Sequence, residues 1–179
     1  SILHTEWNNN KINIIDNPGA DGFCGSIFSS LRVADCVLMV VNAQNGVEVG
    51  TEIQNRYSQK FNTPCILIVN AMDHEKANFE KCIETAKEFF GHNVTIVQYP
   101  VNSGPGFNTI IDVLTMKMYK FSAGGGKPEI LDIPADQLDR ANELHHELIE
   151  QAAENDEALM ELYFEKDTLT EEEARKGIT

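Results

Sequence analysis

Apolar runs of strand length alternate with helix-period segments along the first hundred residues. Residues 11–16, 36–42, 64–70 and 94–99 are short runs rich in Ile, Val and Leu. Residues 25–33, 50–61 and 76–90 separate them and space their apolar side chains at three and four positions. Strands rich in β-branched residues, joined by segments long enough for a helix, indicate parallel crossovers, because a tight turn cannot bring a parallel strand back into the sheet. The pattern predicts an α/β fold, a mostly parallel sheet with helices on both faces.

The pattern changes after Tyr99-Pro100. Asn102-Ser103-Gly104-Pro105-Gly106 is loop chemistry. Beyond it, Phe107, Ile110, Ile111, Leu114 and Met118 keep a helical spacing that Val113, Thr115 and Tyr119 blur, so residues 107–119 stay open between helix and strand. Gly124-Gly125-Gly126-Lys127 resembles the end of a phosphate-binding loop only superficially, since Pro128 stands where Ser or Thr is required, and it reads as a flexible link. From Ile133 onward three helices are predicted. Pro134 suits a first turn, and Leu138, Ala141, Leu144, Leu148, Ile149 and Ala152 make one apolar stripe. A second helix follows Asn155, and Thr170 with Glu173 forms a capping box for a third.

Charge divides the chain in the same place. Of the net −14, residues 129–179 hold 16 acidic and 4 basic residues, against 12 and 10 in residues 1–128. A field of that sign repels phosphate backbones, which excludes direct nucleic-acid contact by the acidic part and leaves a solvated helical face or a docking surface for a basic protein. No run approaches a membrane span, and the start of the chain has no signal-peptide pattern, so a cytoplasmic protein is expected. The four cysteines, Cys24, Cys36, Cys65 and Cys82, have no pair at zinc or redox spacing and read as buried thiols. The adjacent His145 and His146 cannot share a helix face, which argues against a metal site there.

Chemistry concentrates in two loops. Asp16-Asn17-Pro18-Gly19 follows the first apolar run and Asn70-Ala71-Met72-Asp73 follows the third. Both fall beyond the carboxyl end of a strand, where ligands of α/β sheets sit. Asn and Asp are also ordinary turn residues after a strand, and the second loop alone supports either reading.

Those loops resemble the Asp-x-x-Gly and Asn-Lys-x-Asp loops of GTPases, and the likeness extends further. Asn13-Ile14-Ile15-Asp16 through Phe23, Ser30-Leu31-Arg32-Val33, Gly46-Val47-Glu48, Ala77-Asn78-Phe79 and Ile133-Pro134-Ala135-Asp136 resemble the GTPase domain of elongation factor G. His145, Leu148-Ile149-Glu150, Ala152-Ala153-Glu154 and residues 157–160 resemble that factor's insertion subdomain, which related translational GTPases lack. The resemblance implies a P-loop-NTPase-like core over residues 1–101, lacking the phosphate-binding loop and first switch. It implies a mostly helical insertion over residues 102–179, cut short at its end. It further implies GTP and Mg2+ as ligands, with Asp16 and Gly19 at the magnesium and terminal phosphate and Asn70 and Asp73 at guanine. The ribosome is the implied partner, its stalk protein meeting the acidic insertion.

Two departures qualify the likeness. Ala20 stands where the family has the histidine that positions the attacking water, so no catalytic residue carries over, although Asp21 is adjacent. Ala71 replaces the lysine whose stem lies along the base. Three readings follow: a divergent second-copy elongation factor G that binds GTP and the ribosome but hydrolyses weakly, a fully active factor, or a ribosome-binding protein without useful nucleotide affinity.

Overall fold

The computed structural model describes residues 1–19, 24–91 and 94–178; Ala20 and Asp21 lie outside the described residues, as does the side chain of Cys24. The fold is α/β, as the alternating pattern predicts. Strand β1 (Ile2–Trp7) pairs antiparallel with β2 (Asn10–Ile15) from Ile2↔Ile15 to Trp7↔Asn10. Asn8 and Asn9, at φ 49° and 61°, make the two-residue turn. Positive φ at both positions matches the right-handed twist of the strands, and Asn tolerates it. The hairpin is exposed along both strands.

Helix α1 (Cys24–Leu31) leads to β3 (Val37–Asn42), which pairs in parallel with β4 (Cys65–Asn70) through the crossover helix α2 (Val49–Phe61). Strand β3 alternates: Met39 and Val41 are buried while Leu38 and Val40 are exposed. Asn62 ends α2 in the left-handed conformation at φ 58°, its N–H bonded to the carbonyls of Gln59 and Ser58. The Phe28 ring of α1 lies 4.4 Å from that of Tyr57 and 5.7 Å from that of Phe61, locking α1 onto α2.

Helix α3 (Phe79–Phe90) begins three residues later than its apolar spacing suggests. The His74 carbonyl and Nδ1 accept from Ala77 N and Lys76 N, which turns the chain before Asn78 caps the helix through Lys81 N at 3.0 Å. Its buried face carries Cys82 and Ala86. Cys36 and Cys65 are exposed, which corrects the reading of every thiol as buried: Cys36 directly precedes β3 and Cys65 opens β4, so both stand at the margin of the sheet rather than in its interior.

A third, four-stranded sheet is wholly antiparallel, in the order β5 (Gln98–Pro100), β6 (Thr109–Asp112), β7 (Lys117–Lys120) and β8 (Glu129–Leu131). Only the end of the run at 94–99 becomes strand. The open stretch at 107–119 resolves as the β6–β7 hairpin, turned by Asp112, whose Oδ1 accepts from Thr115 N at 2.8 Å and Thr115 Oγ1 at 2.9 Å. The glycines at 124–126 lie in the connection from β7 to β8.

The three helices of the acidic part form as the stripe and caps predict. These are α4 (Ala135–Glu154), α5 (Glu157–Lys166) and α6 (Glu171–Ile178). Asp156 caps α5 through Ala158 N and Leu159 N. The Thr170–Glu173 box is reciprocal, Glu173 Oε2 accepting from Thr170 N at 2.8 Å and Thr170 Oγ1 from Glu173 N at 3.3 Å. Leu148, Ile149, Ala152 and Ala153 of α4 share one core with Tyr99 and Ile111 of the sheet and with Val113 in the turn after β6. Each fully buried Leu or Ile contributes about 1.5–3 kcal/mol to that packing. Leu138, read as part of the stripe, is instead 43% exposed, one turn short of the packed face. Arg140 joins this unit to α3, bonding Glu80 Oε1 at 2.6 Å while its guanidinium lies 4.6 Å from the centre of the Tyr99 ring.

Candidate functional site

Because β3 and β4 are parallel and in register, their carboxyl ends finish together, Asn42 beside Asn70, with Ala43 N donating to Asn70 O at 2.8 Å. Chain leaving β3 turns at once: the Asn42 carbonyl accepts from Asn45 N and Gly46 N, and its Oδ1 from Gln44 N at 2.9 Å. Gly46 at φ 76° is required there. A Cβ would meet Thr85 Oγ1 at 2.6 Å, the hydroxyl that also accepts from Val47 N at 3.1 Å.

Chain leaving β4 turns differently. Ala71 takes the left-handed conformation at φ 60°, Met72 points inward at 6% exposure, and His74 N closes the turn on Ala71 O at 3.2 Å. Met72 is the anchor of the loop, and its carbonyl accepts from Gly104 N at 2.8 Å. With the loop fixed from inside, the side chains of Asn70 and Asp73 are both exposed and engage no hydrogen-bond partner among the described residues. An amide and a carboxylate held outward by a buried neighbour can pair with the edge of a planar ligand, since neither first has to give up a protein partner.

The other loop starts where β2 ends. Asp16 is exposed, with one carboxylate oxygen accepting from Ser1 Oγ at 3.1 Å. Asn17 Oδ1 accepts from Ser30 Oγ at 3.1 Å, which ties the loop to α1. Among the described residues a Cβ at Gly19 would meet nothing within 4 Å, so packing against them does not account for the glycine. The structure brings Asn70 and Asp73 into one loop beside the end of β3. It places Asp16 and Gly19 in the loop that leaves a separate hairpin, whose strands are not hydrogen-bonded into the β3–β4 pair.

Reading the sequence missed Met72 and Gly104 as a pair. The signal was an apolar residue inside a polar turn, which marks a buried anchor. Among the described residues no group of three or more His, Cys, Asp or Glu is placed to hold a metal ion. His145 Nδ1 lies 2.7 Å from Val113 O, a contact that makes Nδ1 the protonated nitrogen. His146 turns the other way, 3.4 Å from Glu150 Oε1. Asp136, Asp139, Glu143, Glu147 and Glu150 are all exposed along α4. No helix among the described residues is long and apolar enough to cross a membrane.

Comparison with known proteins adds two findings. The sequence pattern of the elongation factor Tu GTP binding domain matches residues 1–170. The crystal structure of ttk003000868 from Thermus thermophilus is similar to this chain with a TM-score of 0.86 at 26% identity, over 98% of this chain. The similarity covers 26% of the Thermus chain, so this chain spans about a quarter of that protein's length.

Proposed function

Because the chain belongs to the elongation factor Tu GTP-binding domain family, we propose that residues 1–179 form the middle of the nucleotide site of a translation factor of the elongation factor G type. Residues 1–101 belong to the GTPase core and residues 102–179 to an acidic insertion. The observation that carries the reading is the loop after β4, which turns the free Asn70 amide and Asp73 carboxylate outward beside the carboxyl end of β3.

In this reading Asp73 accepts hydrogen bonds from the ring N–H and the 2-amino group of guanine, and Asn70 pairs with the remaining edge of the base. Adenine has neither donor in those places, so a carboxylate there selects guanine. Ala71 supplies no stem along the base, which lowers affinity without altering the selection. Gly19 offers its backbone N–H to a terminal phosphate, because glycine itself puts no side chain in the way. Asp16 suits Mg2+, which is held by one or two carboxylates together with phosphate and water rather than by a protein cage. When bound, the ion neutralises charge on the phosphates.

Ala20 has no group to orient or deprotonate a water. One such positioned group contributes about 10²–10⁴ in rate, so the protein binds GTP and the ribosome but hydrolyses slowly. The exposed acids of α4 face a basic protein, the stalk protein of the ribosome, and repel RNA. The setting is the cytoplasm. Competition of GTP, ATP and their diphosphates for the protein at its full natural length tests the reading. Guanine preference is expected, and equal affinity for adenine nucleotides contradicts it.

A further inference from the structure

We infer that the loop at residues 102–107 positions the base-reading loop, with Gly104 as the positioning residue; this rests on the reading of Asn70 and Asp73 given above. Ala71 is a non-glycine residue held in the left-handed conformation at φ 60°. Such a conformation persists only where the surroundings over-determine it. Two contacts do so here, the buried Met72 side chain and the bond from Gly104 N to Met72 O at 2.8 Å.

The second contact bears directly on Asp73. The carbonyl of Met72 and the N–H of Asp73 belong to one planar peptide unit, so a donor on that carbonyl fixes the plane from which the Asp73 side chain departs. The donor is itself held. Gly104 O accepts from Phe107 N at 2.9 Å, and Asn102 Nδ2 donates to Gly106 O at 3.1 Å, closing the loop on itself just before β6. Gly104 has φ 82°, and a Cβ there would lie 3.8 Å from His74 O and 3.9 Å from Glu75 Cα, ordinary contact distances. Backbone conformation, not lack of space, therefore demands glycine. A residue that tolerates positive φ keeps the bond, and a β-branched one breaks it.

The test uses the protein at its full natural length, with GDP and inosine diphosphate displacing a fluorescent GDP analogue. Inosine keeps the ring N–H but lacks the 2-amino group, so the ratio of the two affinities reports the bond between Asp73 and that amino group. Gly104→Val is expected to cut the GDP preference about tenfold, the loss of the amino-group hydrogen bond to a charged group, and to weaken inosine diphosphate by about tenfold through the ring N–H bond that both bases share. Gly104→Asn is expected to keep the preference. Equal weakening of both ligands by Gly104→Val, an unchanged ratio, or loss of the ratio in Gly104→Asn overturns the inference. If Gly104→Val does not fold, Gly104→Ala imposes a milder strain and the same comparison applies. A wild-type protein with no preference for GDP overturns the reading of Asp73 itself, and the inference with it.

Discussion

Replacing Asp73 by asparagine separates recognition from stability. The carboxylate is exposed and bonds nothing in the protein among the described residues, so its loss removes no internal contact. Surface changes of this kind stay within about 0.5 kcal/mol of wild-type stability. In the proposed reading guanine, in contrast, loses two hydrogen bonds to a charged acceptor at about 1.5–3 kcal/mol each. Taking the smaller sum, about 3 kcal/mol, GDP affinity falls by at least about 100-fold. The asparagine amide also presents a donor, which matches the C2 carbonyl of xanthine, so xanthosine diphosphate gains affinity as GDP loses it. Competitive displacement of a fluorescent nucleotide measures both, and a thermal melt of each protein checks the fold. A change in GDP affinity below about threefold, with an unaltered melt, refutes the assignment of Asp73 to the base.

Gly177→Ala drives a Cβ into the backbone carbonyl of Ala152 where α6 crosses α4; overpacking of about 1–3 kcal/mol outweighs the gain in helix propensity, and the urea midpoint should fall. Glu173 is held below the ordinary carboxylate range by hydrogen bonds from the Thr170 N–H and hydroxyl. Its contribution to α6 is therefore complete above the ordinary glutamate value and lost as pH falls through the lowered one; the protection of α6 amides relative to their intrinsic exchange rates should fall on acidification, and Thr170→Val should remove part of that dependence. Neutralising Asp139, Glu143 and Glu147 together should slow association with the ribosome and flatten its salt dependence while leaving the fold intact, and an unaltered on-rate means that the acids are merely solvated.

The elements legible in the sequence are those whose signals are local. Val and Ile runs gave β3 and β4, the α4 stripe and the Thr170–Glu173 box gave the three helices, and Asn and Asp at strand ends gave the exposed loops. Strand β1 was silent because both its faces meet solvent, so no alternation marks it. The β6–β7 hairpin was obscured because Ile110, Ile111 and Leu114 share helical spacing, and only the turn at Asp112 decides for strands. In the candidate site, the placing of Asn70 and Asp73 in one loop beyond a strand end was readable. Their support was not: the bond from Gly104 to Met72 joins backbone atoms far apart in sequence, and backbone groups leave no residue-type signal.

Single-turnover release of phosphate from GTP on ribosomes decides whether the proposed guanine-nucleotide site lacks its water-positioning group. Full-length protein with Ala20 should release phosphate slowly and only with ribosomes, and Ala20→His should raise that rate at least about tenfold, a conservative part of the acid–base range. Fast release by the wild-type protein, or no gain in Ala20→His while GTP remains bound, contradicts the proposal.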